Sequence, residues 1–115
     1  MINLRSTSDP IGFILNREFA FQPGTEFNYS DGSAHLISLI LSSATGMPAL
    51  DFADEYLFDP MGLSVTYWND DSLGNNIGGC DLYLSNHDMD IIGQLVLNQG
   101  VYNGERIVSE EWLLQ

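Results

Sequence analysis

Residues 21–46 read FQPGTEFNYSDGSAHLISLILSSATG: a turn, a Tyr-Ser-Asp step and the strongest helical pattern in the chain. Pro23-Gly24 marks the turn, because Pro fixes φ and Gly accepts the left-handed conformation. Thr25 to Tyr29 alternates polar and apolar residues, so in an extended segment Phe27 and Tyr29 share a face. Asp31, Gly32 and Ser33 all suit the start of a helix. From Ala34 onward Leu36, Ile37, Ile40, Leu41 and Ala44 recur at helical spacing, and Gly46 with Pro48 closes the run. The pattern predicts a mostly buried helix from about Gly32 to Thr45. Tyr29 then stands at a loop-to-helix junction, a place that can hold one side chain rigidly beside a cleft.

Upstream, Asn3 to Pro10 is polar and turn-rich, and Ile11 to Leu15 is apolar enough for one or two helical turns. Downstream, Pro48 suits a first helical position, and Leu50, Phe52, Ala53, Tyr56 and Leu57 form one apolar side. Phe58 to Leu63 reads as a closing turn, and Val65 to Trp68 as a short extended piece. Asn69 to Gly79 is rich in Asn, Asp and Gly and reads as a solvated loop. Its Asn69-Asp70-Asp71 and Asn75-Asn76 groups do not have EF-hand spacing, so no metal site is expected. Leu82 and Leu84 alternate as in a brief strand. Ser85 with Asp88 resembles a capping box ahead of an amphipathic helix to about Asn98. Val101 to Val108 is a hairpin candidate around Asn103-Gly104, and Ser109 caps a further helix.

A chain of 115 residues supports a single core, and 44% hydrophobic with 11% aromatic content is globular rather than disordered. Sixteen acidic residues against three basic ones give a formal net charge of −13, which argues against nucleic acid and against anionic membrane surfaces. No apolar run has the length of a membrane span. The start, MINLRSTSDP, lacks a signal-peptide layout. The chain as written reads as cytoplasmic; a parent enzyme with a segment before Met1 could equally be periplasmic or secreted. The lone Cys80 excludes an internal disulfide and reads as a packing residue.

PGTEFNYSDGSAHLISLIL, beginning at Pro23, resembles the second motif of the serine β-lactamase-related hydrolases. That group holds class C β-lactamases, D-alanyl-D-alanine peptidases of the penicillin-binding type, related esterases and 6-aminohexanoate-dimer hydrolases. Its motif runs Pro-Gly-Thr, an aromatic, Tyr-x-Asn and an apolar helix. Here Tyr29-Ser30-Asp31 puts Asp where Asn is usual. FDPMGL from Phe58, the Ser85-capped helix and YNGERIVSEEW from Tyr102 extend the likeness collinearly from about Pro23 to Leu114. The resemblance implies a mainly α (α+β) fold, the helical part of a β-lactamase/transpeptidase-like protein with short strands or a hairpin and without the main sheet. Residues 1–115 would then be a single partial domain, the central portion of a longer enzyme.

The same resemblance implies chemistry. In the family a serine attacks an acyl carbonyl, and a lysine and the motif tyrosine share its proton. Tyr29 and Asp31 take the catalytic motif positions and Ser30 a substrate-binding one. No cofactor is expected, and the substrate would be a small acyl compound. The chain, however, contains no lysine. It therefore lacks Ser-x-x-Lys and Lys-Thr-Gly, and neither His35-Leu-Ile nor His87-Asp-Met fits His-x-Gly. A phenol becomes a base at neutral pH only beside cations, and those cations are the family's lysines. An ionised Asp31 accepts hydrogen bonds but donates none, which favours ester or amide substrates over β-lactams. Ser30-Asp31-Gly32 also resembles the Ser-Asp-Asn of class A enzymes, but the Pro-Gly-Thr context favours the tyrosine reading. His35 could face Asp31 across one helical turn; it reads as a structural hydrogen bond rather than a catalytic dyad. The alternative to a hydrolase portion is a noncatalytic module that self-associates through apolar surface left bare by truncation.

Overall fold

Ser30, two residues before the expected helix start at Gly32, turns the chain out of an extended conformation (φ −138°, ψ 118°), and its hydroxyl accepts the Ser33 N–H. The short polar side chain satisfies an amide that the first helical turn leaves free. This is a computed structural model, and it describes residues 5–65 and 67–114. Ahead of Ser30, α1 (Pro10–Leu15) is capped by Asp9, whose carboxylate accepts the Gly12 N–H. The capped helix itself, α2 (Asp31–Thr45), ends at Gly46 in the left-handed conformation (φ 74°). The chain divides into two compact units. The first is the chain up to Ala49 with Trp68–Asp81, and the second is Leu50–Tyr67 with Leu82 onward.

In the first unit α2 is not buried on the side the sequence predicts. His35 and Ser38 are its buried residues, while Ile37 and Ile40 are 68% and 65% exposed. The reason lies in the Asn69–Gly79 loop, which is packed rather than solvated. Asp70 and Asn76 form an antiparallel bridge, and the Asn76 carboxamide donates to Asp70. Ile77 is fully buried, and the indole of Trp68 donates to its carbonyl at 2.9 Å. Ser38 Oγ donates to the Asn76 carbonyl at 2.7 Å. A loop this rich in backbone polar groups can be buried only against donors and acceptors, and the polar stripe of α2 supplies them.

The second unit has a conventional apolar core. α3 (Ala49–Ala53) runs through a π-helical turn, Asp54–Phe58, into α4 (Asp59–Met61), and stops at Gly62 (φ 70°). The stretch read as a closing turn is thus helical as far as Met61. Phe58, Met61, Leu63, Ile91 and Leu95 are buried together, with Leu50, Ala53, Leu57 and Val65 packed on them. Strands β1 (Tyr67–Trp68) and β2 (Leu82–Tyr83) are two residues each. α5 (Asn86–Leu97) opens with the capping box that Ser85 and Asp88 suggest, both reciprocal bonds being formed. The Asp88 carboxyl is held below its ordinary value, chiefly by the Ser85 hydroxyl and then by the Ser85 amide.

β3 (Val101–Tyr102) and β4 (Glu105–Arg106) pair antiparallel, Val101 with Arg106 and Tyr102 with Glu105. Asn103 (φ 49°) and Gly104 (φ 86°) form the expected two-residue turn, in which both residues need positive φ. α6 (Glu110–Leu113) follows the Ser109 cap. The architecture is mainly helical with short strand pairs. Among the described residues, no single helix is long and apolar enough to cross a membrane.

Candidate functional site

Tyr29 sits in the extended segment that leads into α2, with 64% of its surface exposed. Its hydroxyl donates to the Gly79 carbonyl at 3.4 Å. Ser30 is occupied as the cap of α2, and Asp31 is the first helical residue, where the helix dipole favours an acid. The alternation seen in the sequence separates neighbouring side chains. Asn28 and Ser30 line a cleft of about 540 Å³ together with Phe13, Phe19, Phe21 and Leu36, whereas Tyr29 is directed at Gly79.

Gly79 is where it is because it has no side chain. A Cβ there would lie 2.8 Å from the Asp31 carbonyl oxygen, and one on Gly78 would lie 2.5 Å from that of Ala34. Both glycines therefore press directly on the backbone of the first turns of α2. The sequence shows Gly78-Gly79 only as part of an extended stretch; the closeness of the pair to the helix is visible in the structure alone.

Beneath this contact lies His35, with none of its side chain exposed. The sequence offers Asp31 as its partner; the structure pairs it with Asp71 instead. His35 Nε2 is 3.1 Å from Asp71 Oδ2, and the Gly78 N–H donates to His35 Nδ1 at 3.3 Å. Nδ1 accepts, so Nε2 carries the ring proton and donates it to the carboxylate. Local spacing along a helix suggests a neighbour one turn away, but the ring points into the loop, where Asp71 waits.

Asp71 gathers donors from its own loop. Its Oδ1 accepts the Leu73 and Asn75 amides at 2.8 and 3.0 Å, and the Asn75 carboxamide reaches both oxygens. Burial alone would push this carboxyl up, but those amides, the carboxamide and the His35 ring together hold it below its ordinary value. The group stays ionised while buried because its lone pairs are filled.

Cys80 is half-buried and unpaired with any other cysteine. Arg5 forms an ion pair with Asp81 beside it. No cluster of three or more potential metal ligands occurs among the described residues.

The arrangement has a sequence relationship to match. A profile of the Beta-lactamase family matches residues 4–76, which include the Tyr29-Ser30-Asp31 step, all of α2 and most of the Asp71 loop. The chain belongs to the beta-lactamase family. Relatives provisionally named D-alanyl-D-alanine carboxypeptidase, from Salmonella paratyphi B and Salmonella typhimurium, are each 21% identical to it, over 96% of this chain and 36% of their own length. The chain thus spans about a third of these curated relatives. A solved structure provisionally named 6-aminohexanoate-dimer hydrolase, from Bacillus anthracis, superposes with a TM-score of 0.81 at 25% identity, over 88% of this chain and 26% of that one. The mainly helical fold expected from the sequence is therefore that of a helical portion of a beta-lactamase-like protein.

Proposed function

We propose that the chain is one wall of the active site of a beta-lactamase-family serine hydrolase, a single partial domain of a parent enzyme that cleaves an amide, ester or β-lactam by acyl transfer. One observation carries the reading: a Tyr-x-Asp step at the mouth of a capped helix, in a family member that has no lysine. Tyr29 and Asp31 hold the motif's catalytic positions, and Ser30 holds its substrate-binding position. Acyl transfer needs an activated nucleophile, and the Tyr29 hydroxyl here acts as a donor to Gly79. The nucleophile and its lysine must come from elsewhere, so the chain is inactive alone. Asp31 could pair with such a lysine but cannot donate to a substrate carbonyl, which favours esters and small amides.

The test treats the chain with a fluorophosphonate serine probe and a chromogenic ester. The expected result is no covalent labelling and no turnover above buffer. Turnover at enzymic rates overturns the claim of incompleteness. Turnover that persists in Tyr29→Phe removes Tyr29 from the site.

A second reading, self-association, rests on a separate observation. Phe19 and Phe27 are 81% and 92% exposed, alongside Ile37 and Ile40. A homodimer would remove such surface from water. Sedimentation at low and high salt decides it, because a net charge of −13 makes dimerisation salt-dependent. A monomer at both salts excludes this reading.

A further inference from the structure

The proposed acyl transfer leaves one buried, chemically capable group unused, the imidazole of His35. It is fully enclosed, so it cannot touch a substrate, yet both its nitrogens are engaged. One faces Asp71 and the other faces the Gly78 amide. One residue further along, the Gly79 carbonyl accepts the Tyr29 hydroxyl. The two glycines lie against the α2 backbone with no room for a Cβ, so this Gly-Gly step is held close to the helix that carries His35.

We propose that His35 is a positioning residue for Tyr29, acting through the Gly78–Gly79 backbone: Asp71 fixes the Nε2–H tautomer, the free Nδ1 lone pair holds the Gly78 N–H, and the step so fixed presents the Gly79 carbonyl to the Tyr29 hydroxyl. The chemistry of each link is complementary. A carboxylate that already accepts three loop donors stays ionised and accepts a ring N–H readily, which leaves Nδ1 unprotonated. Had the proton sat on Nδ1, it would meet the Gly78 N–H donor to donor. The order Asp71, His35, Gly78–Gly79, Tyr29 therefore runs from a buried anion to an exposed phenol with every donor matched to an acceptor. The inference rests on Tyr29 being the residue that the fold is built to present.

Nuclear magnetic resonance of the whole chain tests it. At neutral pH the ring nitrogens of His35 should report a protonated Nε2 and an accepting Nδ1; a proton on Nδ1 overturns the proposal. Tyr29→Phe, a change at an exposed position, should shift the Gly78 amide and the His35 ring signals. Signals unchanged at both overturn it as well. Two variants of His35 then separate positioning from packing. H35N places a carbonyl oxygen where Nδ1 was and should keep the Gly78 bond and the Tyr29 ring signals. H35Q keeps a donor toward Asp71 but loses that acceptor, so it should displace the Tyr29 signals and speed Gly78 amide exchange roughly tenfold. Equal effects from both variants reduce His35 to a packing residue. If neither variant folds, the wild-type tautomer and the Tyr29→Phe shifts decide. The outcome is independent of turnover. Failure of the probe experiment leaves this coupling standing, and failure of the coupling leaves the hydrolase reading standing.

Discussion

The two units of the chain solve the problem of burial in opposite ways. The second gathers Phe58, Met61, Leu63, Ile91 and Leu95 into an apolar centre and leaves its polar work to caps and turns. Among the described residues the first buries His35, Ser38, Asp71 and Asn76 together with Ile77 and Pro10, and leaves Ile37, Ile40 and Phe27 in the open. An apolar core tolerates small errors of position, because dispersion contacts are many and non-directional. A polar centre tolerates few, since each unsatisfied donor costs most of its desolvation. The unit that carries Tyr29 is therefore the one whose geometry is set by directional bonds. A site that must hold a hydroxyl in a fixed place gains from that choice.

The largest expected effect tests the apolar half. Phe58→Ala empties the most buried aromatic site of the second unit and should cost about 4 kcal/mol in urea unfolding. Amides of α5 should lose protection with it, because Ile91 and Leu95 share that core. A loss below about 1 kcal/mol would mean the five residues do not act as one core.

Asp71→Ala probes the polar half and should cost about 3 kcal/mol, since it strands the Leu73 and Asn75 amides and the His35 ring at once. The same carboxyl carries a pH signature. Its pKa is lowered on folding, so its contribution is complete above the ordinary aspartate value of 3.8 and is lost as pH falls through the lower folded value. Asp88 contributes with the same sign in the second unit. Asp71→Asn should thus flatten, but not abolish, the loss of stability below about pH 4. An unchanged acid slope would break the contrast between the two units.

This contrast also explains what is legible in the sequence and what is not. The second unit is written in local signals: Ser85 with Asp88, Asn103-Gly104 and the Ser109 cap all act within four residues of themselves. Each is legible, and each is formed. In the first unit the cap of α2 falls one residue earlier than expected, because Ser30, Asp31 and Ser33 are all good caps and only the turn of the chain at Ser30 separates them. The larger difference is the face of α2. Hydrophobic periodicity marks the side a helix would bury against an apolar partner, but here the partner is a polar loop 36 residues away, at Asp71. Nothing local announces that Asp71 binds His35, or that Gly78 and Gly79 must touch the helix backbone. Tyr29, Ser30 and Asp31 are legible as a motif; the support beneath them is not.

Gly104→Ala is a smaller test and belongs to the legible half. The position has φ 86° with nothing within 4 Å of an added Cβ, so the cost is backbone strain alone, about 1 kcal/mol. The change should weaken the Val101–Arg106 and Tyr102–Glu105 pairing and leave the first unit's amides untouched. A response at Gly78 or Asn75 would show that the units are not separable in this way.

The smallest effect is the most telling. Tyr29→Phe removes one hydroxyl from an exposed side chain whose bond to Gly79 is 3.4 Å long. A bond of that length in contact with water adds little, so stability should change by no more than about 0.5 kcal/mol. Three residues around this segment support the fold directly. Ser30 caps α2, Gly79 packs on Asp31, and His35 binds the loop. Tyr29 alone would be dispensable to the fold while being held by it. A loss above about 1 kcal/mol would make the phenol a brace between the α2 entrance and the Gly-Gly step, and its place in the family motif would then need no catalytic explanation. A neutral substitution leaves chemistry as the reason for a tyrosine at this position.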